Sequence, residues 1–213
     1  MTNSDQVSAA LKLLDLHYET FHSAEPYATA TGHPVPTDTR GWSQILASIL
    51  TDVQGLARKK GADLDDGSDV KGANTWEAID TPRFNGVIKS GTLAVASGTM
   101  ASLDAMPYLY LVLWDDTIRG TARCRIWVVR PNVDPVFRQM CSTWYAKRAS
   151  GEITSDNFQL HPPRGLDTNV IRNTCGNLVY PLYFCAERES DGNYEVVTHD
   201  PAARDSGSCT LAS

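Results

Sequence analysis

Four aspartates and one lysine fall within the stretch Gly61-Ala-Asp-Leu-Asp-Asp-Gly-Ser-Asp-Val-Lys-Gly72. Asp66-Gly67 predicts a tight turn, because glycine accepts a positive φ and aspartate tolerates the neighbouring position, so two short strands are expected to meet there. A two-residue turn would set Asp65 opposite Ser68 and place Asp63 on the other face from Asp69 and Lys71. A three-residue turn, with Gly67 left-handed as a bulge, would set Asp65 opposite Asp69 and Asp63 opposite Lys71, with all four on one side. In either case Asp69 and Lys71, two apart on a strand, share a face. Clustered carboxylates repel unless a cation sits among them, and oxygen-only ligands suit Mg²⁺ or Mn²⁺ better than zinc. A lysine beside such an ion can hold an attacking water and offset charge developing on a phosphate, which is what hydrolytic phosphoryl transfer requires. The competing reading is a solvated acidic turn. An EF-hand loop fails, because counting back from Gly67 puts Ala62 and Leu64 where the first two acids belong.

The elements that must position this cluster follow from periodicity. Val7, Ala10, Leu11, Leu14, Tyr18 and Phe21 predict a helix over 5–23 capped by Ser4 or Asp5, with His17 at the edge of its stripe and a Pro/Gly loop over 24–38. Trp42, Ile45, Leu46, Ile49, Leu50, Val53 and Leu56 predict a second helix over 39–57, its C-terminus favoured by Arg58-Lys59-Lys60. Leu93 to Ala96 is a candidate short strand. Residues 107–114 and 123–130 predict strands, the first apolar throughout and so interior to a sheet, with Asp115 and Asp116 as turn residues between them. Asp134-Pro135 opens a helix to about residue 149, with aspartate as cap and proline at the first position. Residues 158–164 are extended by prolines, 169–177 are polar, and 178–186 predict a buried strand in which Pro181 argues for an edge or a bulge. Residues 194–198 add a short strand, and the tail after Asp200 is small and polar, expected to be mobile. Asn74, Arg83, Asn85, His161 and Arg164 lie in polar segments downstream of the cluster and are the types that read base edges or hold phosphates.

At 213 residues with 42% hydrophobic and 21% charged content, the chain is expected to form one globular domain. No apolar run is long enough to span a membrane, and the start lacks the basic and apolar regions of a secretory signal. The five cysteines, 124, 141, 175, 185 and 209, show no metal-binding spacing, and reduced thiols in a cytoplasm are expected. A net charge of −6 argues against a protein that coats nucleic acid nonspecifically, yet an acidic enzyme can carry a locally basic cleft.

At Ala62-Asp63 and Asp69-Val70-Lys71 the chain resembles the PD-(D/E)XK nuclease superfamily, whose pattern is an acid closing one strand and then acid, any residue, lysine on the next. Ala62 stands where that family often has proline. The resemblance implies a mixed α/β (α+β) core, a β-sheet flanked by helices. It places an N-terminal helix and loop at 1–38, the catalytic core at 39–187, and a C-terminal strand and tail at 188–213. It further implies Asp63 and Asp69 as Mg²⁺ ligands and Lys71 as the residue that positions the water. Asp65 is a further candidate ligand, and which of Asp63 and Asp65 comes first is open. Within the superfamily, the compact acidic chain looks like a type II restriction endonuclease, and TWEAIDTPRFN and DNFQLHPPR look similar to stretches of such enzymes. Such an enzyme implies double-stranded DNA as substrate, 5′-phosphate products and Mg²⁺, with Mn²⁺ as substitute and Ca²⁺ bound without cleavage. It also implies a homodimer and a cognate DNA methyltransferase. A repair nuclease of the same superfamily and a non-catalytic Ca²⁺-stabilised binding protein are the alternatives.

Overall fold

The computed structural model describes residues 2–31, 38–56, 61–76, 81–88, 100–116, 122–165, 168–189, 192–206 and 210–211. Helix α1 spans Asn3–Thr31 and α2 spans Arg40–Thr51. A five-stranded sheet runs in the order β1 (Asp69–Asn74), β2 (Leu109–Asp116), β3 (Ala122–Val129), β6 (Leu182–Arg188), β7 (Glu195–His199). β1 is parallel to β2, and every other pairing is antiparallel, so the sheet is mixed. A second sheet joins β4 (Val170–Asn173), β5 (Gly176–Val179) and β8 (Thr210–Leu211). The short helices α3 (Ala101–Asp104) and α5 (Ala203–Ser206) flank these strands, and α4 (Pro135–Ala149) follows β3. The α/β core expected from the element order is therefore present.

Strand alternation sorts the core into two layers. Val70, Tyr110, Val112, Trp114, Cys124, Ile126 and Val128 pack with α1 and α2. Ala73, Leu109, Leu111, Leu113, Trp127 and Val129 pack with α4 and the second sheet. β2 is buried on both faces between β1 and β3, as its apolar run predicts. Asp69 and Lys71 share the α4 side with Ala73, whereas Gly72 faces α2.

Gly72 sets how closely α2 approaches the edge strand. A Cβ there would lie 2.6 Å from Ser43 Oγ and 3.3 Å from Thr39 O. Ser43 Oγ is committed, donating to Thr39 O at 2.7 Å and accepting from Trp114 Nε1 at 2.9 Å. Gly72→Ala is thus expected to cost about 1–3 kcal/mol through overpacking, read as a lower midpoint in thermal unfolding.

Several boundaries differ from expectation, each for a local reason. α1 is capped by Thr2, whose Oγ1 accepts from Asp5 N at 3.2 Å while Asp5 Oδ2 accepts from Thr2 N at 3.1 Å, a reciprocal box. It continues through Pro26, whose fixed φ suits a helix at the loss of one backbone bond. α2 stops at Thr51 because Asp52 turns left-handed, φ 57°. Pro181 is neither at an edge nor in a bulge: it separates β5 from β6, which belong to different sheets. The polar run 169–177 makes the β4–β5 hairpin. The tail carries a docked helix, with the Arg204 guanidinium 4.4 Å over the Tyr108 ring. His17 is not at a stripe edge but 7% exposed among Trp42, Trp76 and Trp114, and burial pushes it down to about 4. Asp115 is no turn residue either, being buried in β2 with Arg123 and Arg125. The cap at α4 is as read, with Asp134 Oδ1 accepting from Val136 N and Phe137 N at 3.0 and 3.1 Å. Cys124, Cys141, Cys175 and Cys185 are free thiols. Residues 58–60, 93–96 and Cys209 lie outside the described residues.

Candidate active site

The acidic turn closes over Asp65, Asp66 and Gly67. Gly67 has φ 92° and donates to Leu64 O at 3.1 Å, while Ser68 O accepts from both Leu64 N and Asp63 N at 3.0 Å. This is the three-residue turn with a left-handed glycine, but in neither anticipated register. Leu64 stands across from Ser68, because Leu64 is fully buried and forms an isolated bridge with Gly55. A slip by one residue would expose that leucine and bury a charge. The upstream arm is consequently this bridge rather than a strand, and Asp69 starts a strand that pairs with β2, its amide donating to Tyr108 O at 3.0 Å.

The register brings Asp63 beside Asp69. Asp63 Oδ2 accepts from Val70 N at 2.9 Å, and the same amide lies 3.1 Å from Asp69 Oδ1, so one N–H serves two carboxylates. Asp63 Oδ1 accepts from Gln44 Nε2 at 2.6 Å, and Lys71 Nζ donates to Asp69 Oδ2 at 2.5 Å. Both acids are 8% exposed. Asp65 is exposed at the turn tip, its amide donating to Gln54 O at 2.8 Å. Among the described residues no three acids, histidines or cysteines gather as a metal-binding group, so the expected three-carboxylate patch is a pair. Asp66 is drawn the other way: its Oδ1 accepts from Ser68 N at 2.9 Å and its Oδ2 from Arg204 Nη2 at 3.5 Å.

Burial raises Asp69 to about 6, and neighbouring Asp63 adds to the rise against the pull of Lys71. In the absence of metal, the folded chain keeps the Asp69 proton up to about pH 6 and the unfolded chain only to 3.8. The stabilisation from this group is complete below the lower value and lost as pH rises through the upper one. Metal-free protein is therefore expected to melt progressively lower than its Asp69→Asn variant as pH rises from about 4 to 6, the gap levelling off above that. Thermal unfolding of both in chelator, across that range, checks this; a constant gap between the two midpoints would refute it.

Four of the five residues nominated for nucleic-acid contact come together. Phe84 N donates to Leu160 O at 2.7 Å and Leu160 N to Phe84 O at 3.2 Å, pairing the segment that holds Arg83 and Asn85 with the one that holds His161 and Arg164. His161 Nδ1 lies 3.4 Å from Pro82 O, which ties the two segments further. Asn74 does not join them. It lies two residues beyond Gly72 on β1, so alternation puts it on the α2 side, opposite Lys71.

The chain also has relatives. The family description "MamI restriction endonuclease" matches residues 26–197. The chain belongs to the MamI restriction endonuclease family. It is similar to the type II restriction enzyme MamI of Microbacterium ammoniaphilum, 32% identical over 163 residues, which covers 71% of this chain and 52% of that protein. The chain thus spans about half the length of the curated relative it matches. No solved structure matches it significantly. No helix among the described residues is long and apolar enough to cross a membrane.

The MamI-family match takes in Asp63, Asp69, Lys71 and the paired segments, and also two residues the sequence did not single out. Gln44 lies on α2, nineteen positions before the acid it holds. Its only signal was to be one of several polar residues on an amphipathic helix, which is too common to act on. Gln44→Ala removes a bond to a carboxylate; on the nuclease reading proposed below, with Asp63 as a metal ligand, it is expected to lower cleavage about 10- to 100-fold, as loss of an outer-shell partner does, and timed digestion measures it. Arg172 of β4 is the other, with Nε and Nη2 donating to Pro162 O at 3.3 and 3.0 Å.

Proposed function

We propose that this chain is a Mg²⁺-dependent type II restriction endonuclease of the PD-(D/E)XK superfamily. It hydrolyses phosphodiester bonds in double-stranded DNA at a fixed sequence and leaves 5′-phosphates. The observation that carries the reading is the buried pair Asp63 and Asp69 with the Lys71 ammonium on Asp69, in a chain of the MamI family.

The donor set fits a hard divalent ion. Two buried carboxylates face one shared amide, and burial, with Asp63 beside it, raises Asp69 against the pull of Lys71. Asp63 and Asp69 would hold Mg²⁺, with Mn²⁺ as a substitute and Ca²⁺ binding without cleavage. When bound, the ion supplies Lewis acidity toward water and phosphate. Lys71 places the water and offsets charge on the phosphate oxygens, and Gln44 fixes the Asp63 carboxylate. The MamI relative's description as a type II restriction enzyme supports the same substrate. A palindromic duplex presents two equivalent phosphates, so the working form is a homodimer, and a cognate methyltransferase protects the host's own cytoplasmic DNA.

Incubating plasmid with the protein and Mg²⁺ tests this. Discrete fragments support restriction. Nicking confined to damaged duplex would indicate a repair nuclease, and no cutting in either Mg²⁺ or Mn²⁺ would leave only a binding role.

A further inference from the structure

The three-stranded sheet is larger than its strands suggest. His161 N donates to Arg172 O at 2.8 Å and Arg172 N to His161 O at 2.9 Å, which joins residues 158–161 to β4. Residue 84 pairs in turn with residue 160. Four segments, 81–88, 158–164, 170–173 and 176–179, therefore form one continuous surface. Phe84, Leu160, Ile171 and Leu178 are fully buried in the core beneath it. Alternation then turns their immediate neighbours outward. We propose that this outward face, carrying Arg83, Asn85, Gln159, His161, Arg172 and Asn177, is the surface on which duplex DNA is read. The proposal rests on the nuclease reading and extends it to how the substrate is selected.

Charge argues for that occupant. The chain carries 25 acids against 19 lysines and arginines, yet these four segments contain no aspartate or glutamate and do contain three arginines. The outward residues are all exposed or half-buried. Arginine pairs bidentately with guanine, and asparagine or glutamine with adenine, so the side chains are those of base readout rather than of general solubility. Paired strands also fit the major groove. The face is held firmly: Asn173 Nδ2 donates to Gln159 O at 2.7 Å, and the two bonds from Arg172 to Pro162 O fix the Pro162-Pro163-Arg164 turn. Arg172 is depressed by burial and by the nearby Arg164 charge, a crowding of cations that an anion would relieve. A rigid element places reading groups better than a loop does.

The test separates binding from cutting. In a Lys71→Ala background, anisotropy of a labelled mixed-sequence duplex in Ca²⁺ is followed over about 50 to 200 mM salt. Arg83→Gln and Arg172→Gln are each expected to reduce the slope of log affinity against log salt by about one. In the Lys71-containing protein, Asn85→Ala, Gln159→Ala and Asn177→Ala together are expected to change which plasmid sites are cut. Asn85 and Asn177 are exposed, so their double variant folds and decides the matter if the triple variant does not. Unchanged slopes with an unchanged fragment pattern would overturn the assignment. So would unchanged slopes accompanied by a shift in sedimentation, which would give the face to a second copy of the chain. If the protein cuts nothing but the slopes fall as stated, the nuclease reading fails and the DNA-reading face stands.

Discussion

Lys71→Ala and Asp69→Asn are each expected to slow plasmid cleavage by about 10³-fold or more while leaving duplex binding intact or stronger. The reason is local. Among the described residues Lys71 Nζ bonds Asp69 alone, and the ammonium is partly open to solvent. Removing it takes away charge that matters when the phosphate reaches its transition state, not a packing contact. Asp69→Asn keeps the shape and the bond from the Val70 amide but halves the anionic charge available to a divalent ion. The asparagine variant should also melt higher than the parent in chelator at neutral pH, since a carboxylate that burial disfavours has gone. A protein that gains stability as it loses activity is hard to explain by misfolding. Cleavage time courses and a mobility-shift assay in Ca²⁺ read both arms, and cleavage at parental rates in both variants would end the assignment.

The second large effect lies away from the acids. Asp115 Oδ2 accepts from Arg123 Nη2 at 2.9 Å and from Arg125 Nη2 at 2.7 Å, all three residues being buried. Arg125 also donates to Thr168 O at 3.3 Å and lies 5.0 Å from the centre of the Trp127 ring, so the cluster ties β2 and β3 to the approach of β4. Asp115→Ala would leave two guanidinium groups side by side with their shared carboxylate gone. Breaking a buried ion pair in this way costs about 3–5 kcal/mol, which for a chain of this size lowers the melting midpoint by about 10 °C. Asp115→Asn, which keeps an acceptor without the charge, should fall between. Calorimetry measures the series, and a midpoint within a degree or two of the parent for the alanine variant would show that the cluster carries no net stability.

Much of this fold is legible residue by residue. The apolar run 109–114 belongs in the middle of a sheet and is there, and Asp134-Pro135 opens α4 as its chemistry dictates. At the acidic turn, local chemistry specified the glycine conformation but not the register, because register depends on which side chain the core accepts. Leu64 decides it through Gly55, a contact no turn rule contains. Asp115 beside Asp116 reads as a loop in isolation, and only the arginines across on β3 make its burial sensible. Gln44 was invisible for the same reason, since its importance comes from what it meets. Arg83, Asn85, His161 and Arg164 could be nominated by type, but their convergence rests on pairing between segments more than 70 positions apart, such as His161 with Pro82.

The clasp on the acidic turn has a bearing on biosynthesis. Arg204 reaches Asp66 across 138 positions of sequence, and Tyr108 Oη donates to Asp205 Oδ1 across 97. A ribosome has therefore made both acids and the lysine long before it makes the residues that brace the loop between them. A nascent polypeptide that stops short of residue 204 carries the two acids and the lysine without this brace, so the acidic turn is fully held only once that residue has been made.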